Sequence, residues 1–306
     1  MSKKRIGIVT PDLARVRFIV PELEQSDEFE PSVVISQAWQ EGNIFDFGQL
    51  YAKSDVIYFD GITPALAFYA RINVDKKCIL RLFGPELTVD STRTLPWKKV
   101  TKGIVVNPYY YDKFGAPFSK SLEVSVNLVK IDRPETFVPD TSKIKLKRES
   151  KRFVVFHSIS PEFDLLSLVP ILKNNPEYSC SLVGKKVSDS YLDILYQALA
   201  SEGVGSGRLE LYENLAPDVL NDFVEDHPHV VSLRPDEAVF HNVREMVALG
   251  CKPHIRKTAI SSGMFDKSMV FDTQNIRFST DEYVEDLVKF CKTGEKELTL
   301  NSFKEA

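Results

Sequence analysis

Two glutamates in the second half of the chain, Glu237 and Glu245, are placed where carboxylates could bind the hydroxyl groups of a ligand. Glu237 follows the apolar run HVVSL, which is typical of a buried strand, and Glu245 lies in a helix-like segment that closes at Gly250. The first turn of a helix that begins between them leaves backbone N–H groups unpaired, and these attract anions. The stretch predicts a site where one carboxylate faces a sugar, the helix start a diphosphate and the second carboxylate a ribose.

The spacing of these two glutamates is not specific by itself. The same eight-residue separation occurs at Glu22/Glu30, Glu202/Glu210 and Glu297/Glu305. An exposed loop acid followed by a solvated helix residue is therefore the alternative interpretation. The order of strand, short loop and helix around Glu237 and Glu245 favours the ligand site.

The elements that must position these residues alternate along both halves of the chain. In the first half, strands are predicted at RIGIVT, PSVVIS, DVIYFD, KCILRLFG, GIVVNP and SLEVSVNLVKI, and PALAFYARI is the clearest helix. The alternation restarts at RFVVFHS and continues through YSCSLVG, RLELYE, HVVSL, KPHIRK and SMVFD. Near-continuous apolar strands separated by helices are typical of parallel sheets covered on both faces. The sequence therefore predicts an α/β fold with two doubly wound, Rossmann-like domains.

The stretch IDRPETFVPDTSKIKLKRESKR is rich in proline and charge and predicts a linker between the two domains. We expect an N-terminal domain over 1–145, a C-terminal domain over 150–285, and a C-terminal helix within 286–306 that would cross back to the first domain. Ligands of open α/β sheets bind outside the carboxyl ends of the strands, where helix N-termini favour phosphate groups. A cleft between two such edges would suit a nucleotide-bearing ligand.

Composition excludes several classes of protein. With 43% hydrophobic and 27% charged residues the chain resembles a globular protein, and no apolar run approaches a membrane span. The four cysteines are far apart and form no metal-binding pattern, which favours a cytoplasmic location and no metal site. Residues 1–150 carry 22 basic and 19 acidic side chains, so the net charge of this half is +3, and the remainder is −7. Neither half is basic enough to indicate a dedicated nucleic-acid binder.

The segment around the two glutamates resembles the E-x7-E element of retaining GT-B glycosyltransferases, in particular family 4. SLRPDE, VREMVALG and KPHI follow the family's order, with one extra residue between Gly250 and Pro253. VKIDRPETFVPD resembles the family's passage into the second domain, SLVGKK its glycine-bearing strand end, and RLFGPEL its histidine-glycine stretch. The resemblance covers most of the chain and is weak outside 212–255.

The resemblance implies roles for several residues. Glu237 would lie against the donor sugar and Glu245 would hold the nucleotide ribose. The other implied donor-binding residues are the helix-start group Ala238, Val239, Phe240, His241 and Asn242, the nucleobase stretch with Tyr212 and Asn214, and Gly184 and His157 at strand ends. For His157 a packed or capping role is an equal alternative.

The chain departs from the family in its cations. HSISPEFDLL stands where the family carries an Arg and a Lys that neutralise the leaving diphosphate. Lys185 and Arg234 are our candidates for that role, with Lys186, Arg256 and Lys257 also considered.

Acceptor-binding candidates lie in the first half. VTPDLARVRF lacks the family's glycine-rich loop, so Arg15 or Arg17 would serve as charged contacts, or both are surface charges. In RLFGPEL, Phe83 replaces the family's histidine beside Gly84, and Glu86 is either an acceptor contact or a helix N-terminal acid. Trp97 stands among four cations in STRTLPWKKVTK, either as a contact for an anionic acceptor or as a buried side chain in a solvated loop.

These expectations describe a retaining, hexosyltransferase-like glycosyltransferase. It would move a sugar from a UDP- or GDP-sugar to an acceptor hydroxyl by front-face displacement, with no cofactor beyond the donor. The acceptor would be a glycan, a lipid-linked carrier or a modified nucleobase in DNA, and peripheral membrane contact stays open. The alternatives are a nucleotide-sugar epimerase on the same scaffold, and a non-catalytic GT-B scaffold that binds a partner or nucleic acid.

Overall fold

The computed structural model describes residues 2–36, 41–72, 76–122, 124–131, 135–136, 144–213, 215, 220–234, 241–265, 267–272, 276–278 and 291–306. The chain forms two compact units. The first unit consists of Met1–Phe137 together with Lys292–Ala306, and the second of Val138–Cys291. The first unit is therefore built from two separate stretches of sequence.

The first unit contains a six-stranded parallel sheet in the order β2-β1-β3-β4-β5-β6. Its strands are β1 (Lys4–Thr10), β2 (Phe29–Ile35), β3 (Val56–Asp60), β4 (Cys78–Leu82), β5 (Val100–Val105) and β6 (Leu128–Lys130). Its helices are α1 (Val20–Gln25), α2 (Glu41–Lys53), α3 (Pro64–Arg71), α4 (Asp90–Arg93), α5 (Pro108–Tyr110) and α6 (Ala116–Ser121). Every residue of β3 and β4 is buried, as expected for central strands covered on both faces.

The second unit repeats this architecture with the strand order β12-β11-β10-β7-β8-β9, again all parallel. Its strands are β7 (Arg152–Phe156), β8 (Ser179–Val183), β9 (Leu209–Tyr212), β10 (His229–Ser232), β11 (Lys252–Arg256) and β12 (Val270–Phe271). Its described helices are α7 (Leu168–Asn174), α8 (Asp189–Ser201), α9 (Leu220–Glu225), α10 (His241–Ala248) and α11 (Ala259–Met264). The predicted pair of doubly wound α/β domains is confirmed.

Local chemistry explains where several helices begin and end. The Thr63 side chain accepts the Leu66 N–H at the start of α3, and Ser188 accepts the Tyr191 N–H at the start of α8. Thr258 and Ser261 form a reciprocal capping box on α11. Gly250, with a φ of 100°, ends the turn that follows α10, which is the position expected for it.

The last helix, α12 (Glu295–Glu305), belongs to the first unit. The Phe303 ring packs edge-on against Tyr58 of β3 and Phe29 of β2, with ring centroids 5.9 and 6.0 Å apart. The Lys4 ammonium donates to the Phe303 carbonyl oxygen at 2.8 Å. Helix α12 is thus packed into the unit that residues 1–137 form.

Within the described ranges, no helix combines the length and the apolar character needed to span a membrane. All four cysteines are buried, and none of them forms a disulfide.

Candidate functional site

His157 lies directly after β7, at the carboxyl edge of the second unit's sheet, and fixes the end of the neighbouring strand β10. Its Nε2 accepts the Leu233 N–H at 3.3 Å, and the residue is 8% exposed. Burial is the main cause that lowers the pKa of His157 to about 4, and the nearby positive charge of Arg234 contributes to the same shift. The imidazole is therefore neutral at pH 7, and the Leu233 N–H bond leaves its proton on Nδ1.

Arg234 follows Leu233 and is held beside this histidine. The ring of Phe163 stacks on His157 with 5.4 Å between centroids, and the Arg234 guanidinium carbon lies 5.2 Å from the Phe163 centroid. A guanidinium over an aromatic face gains a cation–π attraction. The arrangement places a cation where β10 ends and the segment 235–240 begins.

The end of β8 lies against the end of β7, where His157 is located. The Gly184 N–H donates to the Tyr212 carbonyl oxygen at 2.8 Å, and the Lys185 carbonyl oxygen accepts the Ile159 N–H at 3.0 Å. A Cβ on Gly184 would lie 2.3 Å from the His157 carbonyl oxygen, so close backbone packing explains why this position is glycine. The structure therefore brings His157, Gly184, Lys185 and Tyr212 together.

The side chains of this group differ in what they contact. The Lys185 side chain is exposed and has no acidic partner among the described residues. The Tyr212 hydroxyl donates to the Glu210 carboxylate at 2.8 Å, and the Tyr212 ring packs edge-on against Phe223. These contacts with Glu210 and Phe223 fix the position of the Tyr212 side chain.

Of the other cations considered from the sequence, Lys186 and Arg256 have acidic partners, and Lys257 is exposed. Lys186 pairs with Asp189 at 2.8 Å. Arg256 pairs with Asp164, and it also donates to the Leu233 carbonyl oxygen at 3.3 Å. Arg256 therefore contributes to the same strand-end cluster as Arg234, although sequence reasoning gave it less weight.

Glu245 lies in α10 and is half-buried, while Asn242 near the start of that helix is exposed. Glu237, Ala238, Val239, Phe240 and Asn214 lie outside the described residues, and the side chain of His241 is not among the described ones. Next to Glu245 stands Arg244, which is 1% exposed. Sequence reasoning missed this buried arginine because an arginine within an amphipathic helix usually indicates the solvent face.

At the carboxyl edge of the first unit's sheet, Asp60 binds two arginines. Its carboxylate lies 3.0 Å from Arg15 Nε and 3.0 Å from Arg81 Nη1, and its other bond is to the Thr10 hydroxyl at 2.8 Å. Arg81 also pairs with Glu295 of α12, with Nε and Oε1 2.5 Å apart. Burial opposes the charge on Arg81, but its ionic contacts with Glu295 and Asp60 outweigh this and raise its pKa.

Sequence reasoning did not identify this ion-pair cluster of Asp60, Arg81 and Glu295. The signal for half of it was present, because Arg81 interrupts the apolar run KCILRLFG and Asp60 ends the apolar run DVIYFD. A buried charge needs a partner. Nothing local identifies that partner as Glu295, which is 214 residues further along the chain.

The loop after β4 holds three of the predicted acceptor-site residues. Gly84 has a φ of 111°, and the Tyr110 side chain fills the space where a Cβ would stand. The Glu86 carboxylate accepts the Phe83 N–H at 3.1 Å, so it closes its own loop. Phe83 is buried beneath the Arg15 guanidinium, whose carbon lies 4.0 Å from the ring centroid.

Arg17 and Trp97 stand apart from that loop. Arg17 is exposed beyond the short 3-10 helix Leu13–Val16. Trp97 precedes β5 and so lies at the opposite, amino edge of the sheet, where it is 3% exposed and packs against Phe118. Its indole N–H donates to the Thr92 carbonyl oxygen at 2.8 Å, so the ring is a core side chain rather than a stacking surface.

The cavity beside Trp97, about 440 Å³ in volume, is lined by Arg93, Lys98 and Lys99. Arg93 pairs with Asp90 at 3.1 Å, and the Lys99 ammonium donates to the Ile72 carbonyl oxygen. Two of its three cations are therefore engaged within the protein. Across the described part of the chain, no cluster of three or more histidine, cysteine or acidic side chains could hold a metal ion.

No protein-family model matches this chain, and no curated protein matches it. Solved structures match its fold. One is Alr3699/HepE of Anabaena in complex with UDP-glucose, 13% identical, with a TM-score of 0.62 over 98% of this chain and 92% of that one. A second is sucrose-phosphate synthase of Thermosynechococcus elongatus, 10% identical, with a TM-score of 0.63 over 89% and 87%. A third is UDP-GlcNAc 2-epimerase of Neisseria meningitidis bound to UDP-GlcNAc, 12% identical, with a TM-score of 0.55 over 99% and 100%.

At these identities the likeness concerns the fold. A sucrose-phosphate synthase and a UDP-GlcNAc 2-epimerase share it, so the fold alone does not select the reaction. The chain has the GT-B fold, with two Rossmann-like units that each carry a six-stranded parallel sheet.

Proposed function

We propose that the protein is a glycosyltransferase that uses a UDP- or GDP-sugar and retains the anomeric configuration. The observation that carries the proposal is the strand-end cluster of His157, Phe163 and Arg234, which holds a cation at the edge where ligands of open α/β sheets bind. The likeness in fold to proteins solved with UDP-glucose or UDP-GlcNAc supports a nucleotide-sugar ligand.

The chemistry assigns a role to each residue. The leaving group of the transfer is a nucleoside diphosphate, whose negative charge grows as the glycosidic bond breaks. Arg234 and Lys185 would neutralise that charge together with the backbone amides of residues 238–242. Glu237 would bind the sugar, and Glu245 the ribose. The leaving phosphate accepts the proton of the acceptor hydroxyl, so the mechanism needs no protein nucleophile.

Neutral His157 acts by position rather than by charge. Its bond to the Leu233 N–H fixes the last residue before Arg234, and its ring supports Phe163 beneath the guanidinium. A protonated imidazole could not accept that N–H, so acid would loosen the placement of Arg234.

The test is calorimetric titration of the protein with UDP, GDP, ADP and UDP-glucose. We expect micromolar binding of one nucleotide, weakened by about tenfold or more in Glu245→Ala, because a ribose hydroxyl would lose a charged acceptor. Glu177→Ala is the matched control, since Glu177 is exposed before β8 at the opposite edge of the same sheet. Failure of all four ligands would favour the non-catalytic scaffold.

Incubation with the bound nucleotide's sugar conjugate then separates the two enzyme classes. A transferase releases the nucleoside diphosphate when an acceptor is supplied. An epimerase changes the sugar of the conjugate without an acceptor.

A further inference from the structure

The carboxyl edge of the first unit's sheet combines one presented guanidinium with exposed apolar side chains. We propose that this edge binds an anionic group, a phosphate monoester, joined to an apolar chain or ring, and that Arg15 is the residue that recognises the anion. Calling this ligand the acceptor rests on the proposed function, whereas its binding does not.

Arg15 is oriented for binding by contacts on one side of its guanidinium. The Asp60 carboxylate forms an ion pair with Nε at 3.0 Å without hydrogen-bond geometry, and the Phe83 ring supports the plane of the guanidinium at 4.0 Å. The two terminal nitrogens have no hydrogen-bond acceptor among the residues that the structure describes, and the side chain is 23% exposed. A guanidinium held in this way offers the planar donor pair that suits a phosphate.

The support behind Arg15 is rigid because it is buried. Asp60 is held by Arg81, and Arg81 by Glu295, with all three side chains at most 2% exposed. Burial lowers the pKa of Arg15 and the nearby Arg81 lowers it further, whereas Asp60 and Glu86 raise it. An anion at the terminal nitrogens would relieve the crowding of two positive charges around one aspartate.

The apolar half of the inference comes from an asymmetry. Five large apolar side chains of the described first unit are between 42% and 67% exposed: Leu13, Ile35, Phe45, Ile62 and Val89. Leu13, Ile35, Ile62 and Val89 lie at or beyond the carboxyl ends of β1, β2, β3 and β4, and Phe45 lies near the start of α2, the helix that follows β2. Scattered exposed apolar residues need no explanation, but a set confined to one edge indicates a surface that meets an apolar partner.

The backbone at two of these residues is close to Arg15. Leu13 is in the same 3-10 turn, and Ile62 follows Gly61, where an added Cβ would come within 3.4 Å of Arg15 Nη2. The ligand's apolar part would therefore begin next to its anionic group. A sugar without an anionic group would not bind the Arg15 guanidinium, and a free phosphate would not contact the apolar side chains.

The first experiment titrates the full-length protein with n-hexyl phosphate, inorganic phosphate and n-hexyl glucoside. We expect hexyl phosphate to bind at least about tenfold more tightly than either of the others, since each of those lacks one half of the interaction. Equal binding of inorganic phosphate or of hexyl glucoside would overturn the inference.

Variants test the two halves separately. Arg15→Gln should weaken hexyl phosphate binding by about tenfold or more, and Lys98→Gln, an exposed cation at the opposite edge, should leave it unchanged. Leu13→Ser with Ile62→Ser should weaken it by roughly threefold to tenfold, with Ile194→Ser in the second unit as the matched control. Wild-type affinity in Arg15→Gln, or in the double serine variant, would overturn the corresponding half.

Should Arg15→Gln not fold, Arg15→Lys keeps the charge beside Asp60 but loses the planar fork. It is expected to bind hexyl phosphate about threefold more weakly than the wild type. An unchanged affinity would contradict the role of the guanidinium. The double serine variant changes only exposed side chains and stays informative in either case.

Vesicles distinguish the two sources of such a ligand. Sedimentation with phosphatidylglycerol vesicles, lost in Arg15→Gln and absent with phosphatidylcholine vesicles, would identify a lipid headgroup. Binding of hexyl phosphate without vesicle binding would identify a soluble phosphate ester. Nucleotide titration at Glu245 is independent of all these measurements, so either proposal can fail alone.

Discussion

The two units have the same architecture but bury different kinds of polar group. Among the described residues the first unit buries five charged side chains, namely Asp60, Arg81, Lys102, Glu135 and Glu295, and the second buries only Arg244. The second unit buries four histidines instead: His157, His227, His229 and His254. Burying a charged group is costly, and the two units avoid that cost in different ways. The first unit pairs opposite charges, and the second buries histidines in their neutral form.

The two solutions respond differently to acid. Burial is the largest cause that lowers the pKa of each buried histidine, to about 4 for His157, His227 and His229 and well below its usual value for His254. The ion pairs of the first unit need deprotonated carboxylates but no histidine.

The largest expected effect is therefore acid unfolding of the second unit. As pH falls from about 6.5 towards 4, the unfolded chain binds protons that the folded histidines do not, so each histidine removes about 1.4 kcal/mol of stability per pH unit. Both tryptophans, Trp39 and Trp97, lie within the first unit, so tryptophan fluorescence reports that unit while far-ultraviolet circular dichroism reports both. We expect the circular dichroism signal to fall at a higher pH than the fluorescence changes. If both signals change at the same pH, the two units do not differ in their response to acid.

The next effect concerns the ion pairs of the first unit. Glu295→Ala leaves the buried Arg81 with Asp60 as its remaining acid among the described residues, and we expect a loss of about 3–5 kcal/mol in the free energy of unfolding. Glu305→Ala, on the same helix, removes an exposed partner of Lys102 and should cost about 1 kcal/mol or less. Chemical denaturation followed by tryptophan fluorescence measures both. Similar losses of stability in the two variants would show that an ion pair contributes equally whether it is buried or exposed.

Smaller effects are expected at two glycines, one in each unit. Gly84→Ala meets a positive φ and the Tyr110 ring, and Gly184→Ala meets the His157 carbonyl oxygen, so each should cost about 1–3 kcal/mol. Gly205→Ala is the control, because a Cβ there meets nothing within 4 Å and its φ is −61°. Thermal unfolding should show Gly205→Ala unchanged or slightly more stable.

The smallest effects are expected at exposed ion pairs. Lys173→Ala removes a partner of Glu202 in the second unit, and Lys304→Ala removes a partner of Glu28 in the first. Each should change the free energy of unfolding by less than about 0.5 kcal/mol. A large difference between the effects of the two variants would show that the units differ in their surface ion pairs rather than in their buried polar groups.

The sequence predicts the strands well where they are buried on both faces. DVIYFD and KCILRLFG were expected as strands, and β3 and β4 occupy them. SLEVSVNLVKI is predicted as one long strand, but among its described residues only Leu128–Lys130 form a strand, which lies at the edge of the sheet and pairs with Gly103–Val105 of β5. Pairing length at an edge depends on the neighbour and not on the strand's own pattern.

The candidate site is predictable only in part. Strand ends place His157, Gly184 and Arg234 at one edge, and a sequence pattern can foresee this, because the carboxyl ends of parallel strands meet there. The contacts that give these residues their properties, such as the Leu233 N–H on His157, join segments 76 residues apart. The roles of Glu237 and Glu245 stay predictions.

Synthesis from the amino terminus has a consequence for the interlocked carboxylates of the first unit. Glu295 Oε2 accepts the Glu135 N–H at 2.6 Å, and Glu135 Oε2 accepts the Lys296 N–H at 3.0 Å. On the ribosome, residues 1–137 emerge early, yet Arg81 and the Glu135 backbone meet these partners only after residues 292–306 have been made. Amino-terminal domains usually fold first during synthesis. Here we expect the order to be reversed, because residues 138–291 of the second unit are complete before residues 292–306 of the first unit have been made.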